Sequence, residues 1–277
     1  MKLAFQGELG AFSHLAAAEF FPKSEIKTCQ TFEECFRLAI ENSEYKIIIP
    51  IENSLAGRVA DIHYLIPRYK LQIYAEYFHP VIHNLLGLKG AKLEDIKTVR
   101  SHSHAIGQCQ NIIQKNNLKP IISADTAGSA KYISEKKDKT ESAIASSLAA
   151  KIYDLQIIVK HAEDDSRNVT RFLVMGKEIH HPELGNKKYI TSCIFRVKSK
   201  PAALYKCLGG FATNNVNLCK LESFSAKNTF EQANFFIDIE GHIEDSSVQK
   251  SLEELGFHTE SLDILGVYEA DKFRFKK

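Results

Sequence analysis

Arg167-Asn168-Val169-Thr170-Arg171-Phe172 sets guanidinium groups and a hydroxyl side by side at the opening of an apolar strand. An arginine offers a planar fork for a carboxylate, and a threonine offers a short hydrogen-bonding hydroxyl. The same stretch also reads as a surface arginine followed by a β-branched strand residue. A second signal recurs upstream: an apolar run ends, small polar residues follow, and a helical pattern begins. It occurs at Gln6-Gly7-Glu8-Leu9-Gly10-Ala11-Phe12-Ser13 and at Glu52-Asn53-Ser54-Leu55-Ala56-Gly57. It occurs again at Ser101-His102-Ser103, Asp125-Thr126-Ala127-Gly128 and Ser146-Ser147. Helix N-termini beyond strand ends present free N–H groups and a positive dipole end, which suits an anion. Helix capping alone accounts for any one cluster. Five clusters, with Asn53-Ser54 and Ser101 beyond what capping uses, point to an anionic small molecule.

Other chemistries lack their residues. Neither phosphate-loop glycine spacing occurs, so ATP and NAD are unsupported, and there is no G-x-S-x-G elbow for an esterase. The cysteines (Cys29, Cys35, Cys109, Cys193, Cys207 and Cys219) form no C-x-x-C pair and read as reduced, buried thiols. His102 with His104, and His180 with His181, lack further ligands nearby in sequence, so no metal is expected.

These groups must be positioned by alternating strands and helices. Strand patterns cover 2–5, 47–51, 71–78, 83–88, 98–100, 121–124, 142–145, 157–160 and 171–175. Helical patterns cover 12–21, 32–40, 59–66, 103–114, 127–133 and a stretch reaching Tyr153. This alternation implies open, largely parallel sheets with helices on both faces. Residues 177–188 are polar, with Gly and Pro, and read as a linker. Beyond them the pattern is strand 189–197, helix 202–212, strands 218–225 and 234–240 around a turn near Lys227-Asn228, helix 245–255 ended by Gly256, and strand 259–268. That order is βαββαβ.

The 277 residues suit two domains, and 36 Lys and Arg against 34 Asp and Glu leave a charge of +2. That balance argues against a nucleic-acid binder or a polybasic membrane anchor. No apolar run approaches the roughly 20 residues needed to cross a bilayer. The N-terminus does not resemble a secretory signal, and a cytoplasmic location is expected.

FQGELGAFSHLAA, PIENSLAGRVADIHYLI, SHSHAIGQC, DTAGSAKYI and NVTRF, in this order and at these separations, closely resemble the prephenate dehydratase family. The C-terminal βαββαβ stretch resembles the ACT regulatory domain fused to it. The resemblance implies an α/β fold: a two-lobed catalytic domain over 1–176, similar to a periplasmic binding protein, with its site in the cleft between the lobes. A linker (177–188), a ferredoxin-like ACT domain (189–268) and a tail (269–277) follow. The implied reaction converts prephenate to phenylpyruvate, water and carbon dioxide in phenylalanine biosynthesis, without cofactor or metal.

The family's Thr-Arg-Phe motif falls on Thr170, Arg171 and Phe172, and its Glu-Asn-Ser motif on Glu52, Asn53 and Ser54. Ser13, Ser101, Gln108 and Thr126 fall among its substrate-binding positions. Prephenate carries two carboxylates and a ring hydroxyl, and its aromatisation drives the reaction, so positioning and electrostatics suffice. Arg171 is expected to hold one carboxylate, and Thr170 to donate to the departing hydroxyl. Glu52 reads either as an acid or as a residue that orients its neighbours. In the C-terminal stretch Ala202, Ala203 and Leu204 stand at the family's Gly-Ala-Leu, and Glu222-Ser223-Phe224-Ser225 at its Glu-Ser-Arg-Pro. The loop Asn214-Asn215-Val216-Asn217-Leu218 is the candidate for a phenylalanine effector's charged end. The domain reads alternatively as a dimerisation module, and a homodimer or homotetramer is expected. Arogenate is an alternative substrate, and a non-catalytic two-lobed dicarboxylate binder an alternative function.

Overall fold

The computed structural model describes residues 1–198, 200–225 and 233–275; the turn expected near Lys227-Asn228 lies outside them. The chain begins β1 (Lys2–Gln6), α1 (Phe12–Phe20), β2 (Glu25–Cys29), α2 (Phe32–Glu41), β3 (Tyr45–Asn53), β4 (Gly57–Arg58), α3 (Ala60–Tyr69) and β5 (Gln72–Pro80). It continues β6 (Asn84–Gly87), β7 (Thr98–Ser101), α4 (Ser103–Gly107), α5 (Gln110–Lys115), β8 (Lys119–Ile122), α6 (Thr126–Lys136), β9 (Glu141–Ala145), α7 (Ser147–Ile152), β10 (Gln156–Val159) and β11 (Val169–Gly176). The remainder is β12 (Tyr189–Val197), α8 (Ala203–Thr213), β13 (Leu218–Ser225), β14 (Ala233–Glu240), α9 (Ser246–His258) and β15 (Thr259–Glu269).

The first sheet has the order β2-β1-β3-β11-β5, with β4 on β3. Ile47, Ile48, Ile49 and Ile51 of β3 are all fully buried, as a strand covered on both faces requires. The second sheet has the order β10-β6-β9-β7-β8. Its central strands β6 and β9 are buried along their whole length. Leu85 and Ile144 meet Val99, Ile106 and Ile113 in one cluster, while Leu86 and Ala143 meet Ala130, Ile133 and Leu155 in another. Successive residues of one strand thus serve opposite layers.

The expectation of largely parallel sheets needs correction. β7 is parallel to β8 and β9, but β6 is antiparallel to both β9 and β10. β9 and β10 are joined through α7, and β6 is inserted between them against their direction. The single helix expected over 103–114 is two helices. The Asp164 carboxylate accepts the Gln110 and Asn111 N–H groups at 2.8 and 3.0 Å, and this caps a new helix start. α9 runs through Gly256 to His258 rather than stopping at Leu255.

Chain contacts divide the molecule into two compact units. One is Met1–Cys35, Ile48–Arg58 and Phe78–Phe172; the other is Phe36–Ile47, Val59–Tyr77 and Leu173–Lys277. In the second unit the antiparallel sheet β13-β14-β12-β15 realises the βαββαβ pattern. One of its faces carries Cys193, Phe195, Phe235 and Ile237 against Cys207 and Phe211 of α8 and Val248 and Leu255 of α9. Elsewhere in this unit the His63 ring of α3 lies 5.7 and 5.8 Å from the Phe224 and Phe236 rings. A Cβ on Gly266 of β15 would stand 2.2 Å from the Ile73 carbonyl oxygen of β5, so only glycine fits. Arg274, beyond β15, reaches Glu76 with two hydrogen bonds of 2.6 and 2.8 Å and lies 3.7 Å from Asp238. Among the described residues no helix is long and apolar enough to cross a membrane.

Candidate active site

The polar residues of β3 and β11 meet in the first unit, and backbone donors fix how their amides point. The Leu55 and Ala56 N–H groups donate to Asn53 Oδ1 at 3.0 and 2.8 Å. Asn53 Nδ2 therefore faces β11, where it donates to Asn168 Oδ1 at 2.7 Å and to Thr170 Oγ at 2.9 Å. With its oxygen so engaged, Asn168 donates through Nδ2 to Gln108 Oε1 at 2.7 Å. The same oxygen lies 2.9 Å from His83 Nε2. Because Oε1 can only accept, His83 must donate through Nε2. Ser54 Oγ donates to the Arg167 carbonyl at 2.8 Å and accepts the Val169 N–H at 2.9 Å, which locks the hairpin to the head of β11.

This polarity has a chemical result. Thr170 Oγ receives a hydrogen bond from Asn53, so its own proton is directed elsewhere. Gln108 turns its oxygen into the network, so its NH2 faces away from it. The site thus presents neutral donors on a buried frame: Asn168 is 1% and Thr170 9% exposed. Burial pushes the His83 pKa down, against weaker upward effects of Gln108 and Glu163, and favours the neutral ring.

Arg171 and Glu52 pair with each other. Successive strand residues face opposite sides. Arg171 follows Thr170 and Glu52 precedes Asn53, so this pair meets on the other face, with Arg171 Nη1 3.0 Å from Glu52 Oε1. The Arg171 side chain is 1% exposed and lies 6.0 Å from the Phe78 ring centroid. Its guanidinium thus meets Glu52 on the face away from the Thr170 hydroxyl, a contact that fits the reading of Glu52 as a residue that orients its neighbours. Phe172 is buried core.

The other expected residues divide. Gln108 joins the network. The Ser101 hydroxyl is fully buried and donates to the Ile144 carbonyl at 2.7 Å, a bond internal to the second sheet. Ser13 and Thr126 are half-buried near the starts of α1 and α6. Capping explains several strand-end clusters. Asp125 accepts the Gly128 N–H at 2.6 Å, His102 Nδ1 the His104 N–H at 3.3 Å, and Ser146 Oγ the Ala149 N–H at 3.0 Å. The Ser146 hydroxyl also donates to the Gly10 carbonyl at 2.6 Å. Gly10, at φ +91°, leaves no space for a side chain, since its Cβ would lie 2.7 Å from Ala149 Cα. A cavity of about 790 Å³ is lined by Gln6, Gly7, Glu8, Gln30, Ala124 and Asp125 among others.

In the second unit, Ala202 holds φ +58° before α8, Ala203 is buried and Leu204 packs on the core. Asn214 is committed to structure, donating to the Gly210 carbonyl at 2.7 Å and to Glu254 Oε1 at 2.9 Å. Asn215 takes φ +54°, Val216 is buried and the Asn217 carbonyl accepts the Glu240 N–H. Leu218 and Ser223 pair with Ile239 and Phe235, and Glu222 lies 3.9 Å from Lys220. Sequence reasoning missed two network members. Asn168 was visible inside NVTRF, but its role needed its partners. His83 carried no sequence signal, because its partner Gln108 is remote in the chain.

A family model described as prephenate dehydratase matches residues 3–180. A Komagataeibacter europaeus protein named bifunctional N-acyl-homoserine lactone acylase/prephenate dehydratase is 39% identical over 274 residues, covering 99% of this chain and 98% of its own. The Arabidopsis thaliana chloroplastic arogenate dehydratase/prephenate dehydratase 1 is 35% identical over 288 residues, with 99% of this chain and 73% of its own covered. The solved structure of prephenate dehydratase from Arthrobacter aurescens in complex with L-Phe superposes with a TM-score of 0.88 at 27% identity, covering 98% of this chain and 90% of that one.

Proposed function

The chain belongs to the prephenate dehydratase family, and from that premise we propose that it converts prephenate to phenylpyruvate, carbon dioxide and water. The observation that supports this reading is the Asn53–Thr170 hydrogen bond, whose direction leaves the Thr170 proton free to be offered to a substrate oxygen. In the reaction a carboxylate leaves as carbon dioxide, its electron pair passes through the diene, and the ring hydroxyl takes up one proton, ultimately from solvent, and departs as water. A threonine hydroxyl is a weak acid, so Thr170 acts by stabilising the leaving oxygen, or by relaying a proton to it, rather than as a near-neutral acid. Gln108 offers its NH2 to a substrate carboxylate or carbonyl. Electrostatic orientation by such fixed dipoles is effective because the frame is set before substrate arrives.

In this reading residues 1–176 form the catalytic domain, with substrate in the cleft between its lobes. Residues 177–188 are a linker and 189–268 an ACT domain that binds L-phenylalanine. The βαββαβ topology and the L-Phe complex of the Arthrobacter aurescens relative support the regulatory part. The enzyme works as a homo-oligomer in the cytoplasm. Arogenate is the second substrate to be considered, since the Arabidopsis relative is named for both.

The test is phenylpyruvate formation from prephenate by purified protein, run beside phenylalanine formation from arogenate, each with and without added L-phenylalanine. Turnover of prephenate supports the reading, and turnover of arogenate alone replaces the substrate. No turnover of either rejects it. A further arm with an N-acyl-homoserine lactone asks whether the second activity named for the Komagataeibacter relative extends to this chain.

A further inference from the structure

We infer that His83 is a positioning residue for the dehydratase reaction, holding the Gln108 carboxamide so that its NH2 faces substrate; this rests on the function proposed above. His83 lies in the link between β5 and β6 and is 3% exposed. It is pinned on several sides. Its N–H donates to Glu163 Oε2 at 2.8 Å, its carbonyl accepts the Ala162 N–H at 2.8 Å, and its ring meets Phe12 edge-on at 5.3 Å. What remains is Nε2, aimed at Gln108 Oε1 at 2.9 Å.

The direction of that bond follows from residues far along the chain. Backbone N–H groups orient Asn53, Asn53 orients Asn168, and Asn168 Nδ2 occupies one side of Gln108 Oε1. One donor alone leaves a carboxamide free to swing about its terminal torsion, which is broad. With a second donor from His83, a flipped amide would lose two hydrogen bonds and set its NH2 against two N–H groups. His83 therefore makes Gln108 a one-way element.

His83 Nδ1 is buried with no hydrogen-bond partner among the described residues. A ring proton there would be unsatisfied, so the neutral Nε2–H tautomer is the form that fits. A histidine present only to fill space would not need its single proton directed at a glutamine already engaged by another donor.

The test uses the full chain. His83→Leu removes the donor and keeps an apolar side chain of moderate size, and kcat/KM should fall about tenfold, as for loss of one positioning hydrogen bond. His83→Gln can place an N–H near the former Nε2 and should recover most of that loss. In a Gln108→Leu background, His83→Leu should change kcat/KM by less than about twofold, because the two residues act as one unit. Nitrogen-15 NMR of the imidazole should show Nε2 protonated and Nδ1 bare at neutral pH. Absence of wild-type turnover overturns the proposed function and this role with it. With wild-type turnover intact, three results overturn the role alone: the other tautomer, unchanged kcat/KM in His83→Leu, or an equal loss in both backgrounds.

Discussion

Thr170 and Arg171 are consecutive residues of β11, yet the Thr170 hydroxyl meets Asn53 while the Arg171 guanidinium meets Glu52 Oε1 at 3.0 Å on the other face. Glu52 and Asn53 are themselves consecutive in β3. The two motifs are therefore two pairs rather than one cluster. The neutral pair faces the candidate site, and the charged pair is built into the sheet beneath it.

Thr170→Ala should lower kcat about 10²–10³-fold, the range for removing one donor matched to a developing charge. KM should move far less, because the contact matters mainly in the transition state. Thr170→Ser should retain part of the rate. Asn53→Asp should also be severely impaired, since a carboxylate there accepts from Thr170 and draws its proton inward. Steady-state kinetics checks all three, and normal turnover by Thr170→Ala rejects the assigned role.

Arg171→Met should act on stability. Removing one partner of a buried ion pair costs about 3–5 kcal/mol, and here the loss should sit at the low end because Glu52 retains 32% exposure and can be hydrated. Denaturant unfolding should show the shift, with KM for prephenate nearly unchanged. A large rise in KM at unchanged stability would return Arg171 to the substrate.

Gly10→Ala should destabilise the protein by about 2 kcal/mol or more, since a non-glycine residue held at positive φ costs of order 1–3 kcal/mol before any clash. The added Cβ would meet Ala149 backbone and side chain at 2.7 and 2.9 Å, and backbone cannot move aside cheaply. The loop it anchors also accepts the Ser146 and Tyr153 hydroxyls at Gly10 and Leu9. The thermal midpoint is the readout, and an unchanged midpoint counts against this packing.

Stability should decline as pH falls from about 7 toward about 5, the window in which an unfolded histidine gains its proton near pH 6.5. Burial lowers the folded pKa of His83, and also of His14 and His102. The unfolded chain then binds more protons than the folded one, so acid favours unfolding. His83→Gln removes one of these groups and should flatten the slope of unfolding free energy against pH. An unaltered slope would show that His83 titrates alike in both states.

Truncation after Ala270 removes Arg274 from Glu76 and Asp238, whose side chains are fully buried. Loss of a buried partner costs about 3–5 kcal/mol. Adding Glu76→Gln to the truncation should restore part of it by removing one of the buried charges that Arg274 balances. Denaturation of the three proteins side by side decides this, and equal stability of the truncated and full chains rejects it.

Sequence patterning located most of the elements, because buried runs such as Ile47-Ile48-Ile49 and the apolar spacing of α2 carry their own signal. β2 was missed, since Glu25-Ile26-Lys27-Thr28-Cys29 is largely exposed and polar along an edge. The break between α4 and α5 was hidden because its cause, Asp164, lies some fifty residues downstream. In the candidate site, the members Asn53, Gln108 and Thr170 were legible as polar residues in family-like motifs. Their hydrogen-bond directions were not, because these depend on backbone groups and on partners brought close only by folding. The period-two alternation that separates Thr170 from Arg171 was present in the sequence, but adjacency in a motif suggested a shared ligand.

Gly266 and Ile73 carry a mechanical consequence. Where side chains lie between two strands, a small displacement of one is absorbed by a change of rotamer and fades within a residue or two. At Gly266 main chain rests almost directly on main chain, so there is no such cushion. A shift of β15 at that point bears directly on the β5 backbone, as between two meshed gear teeth.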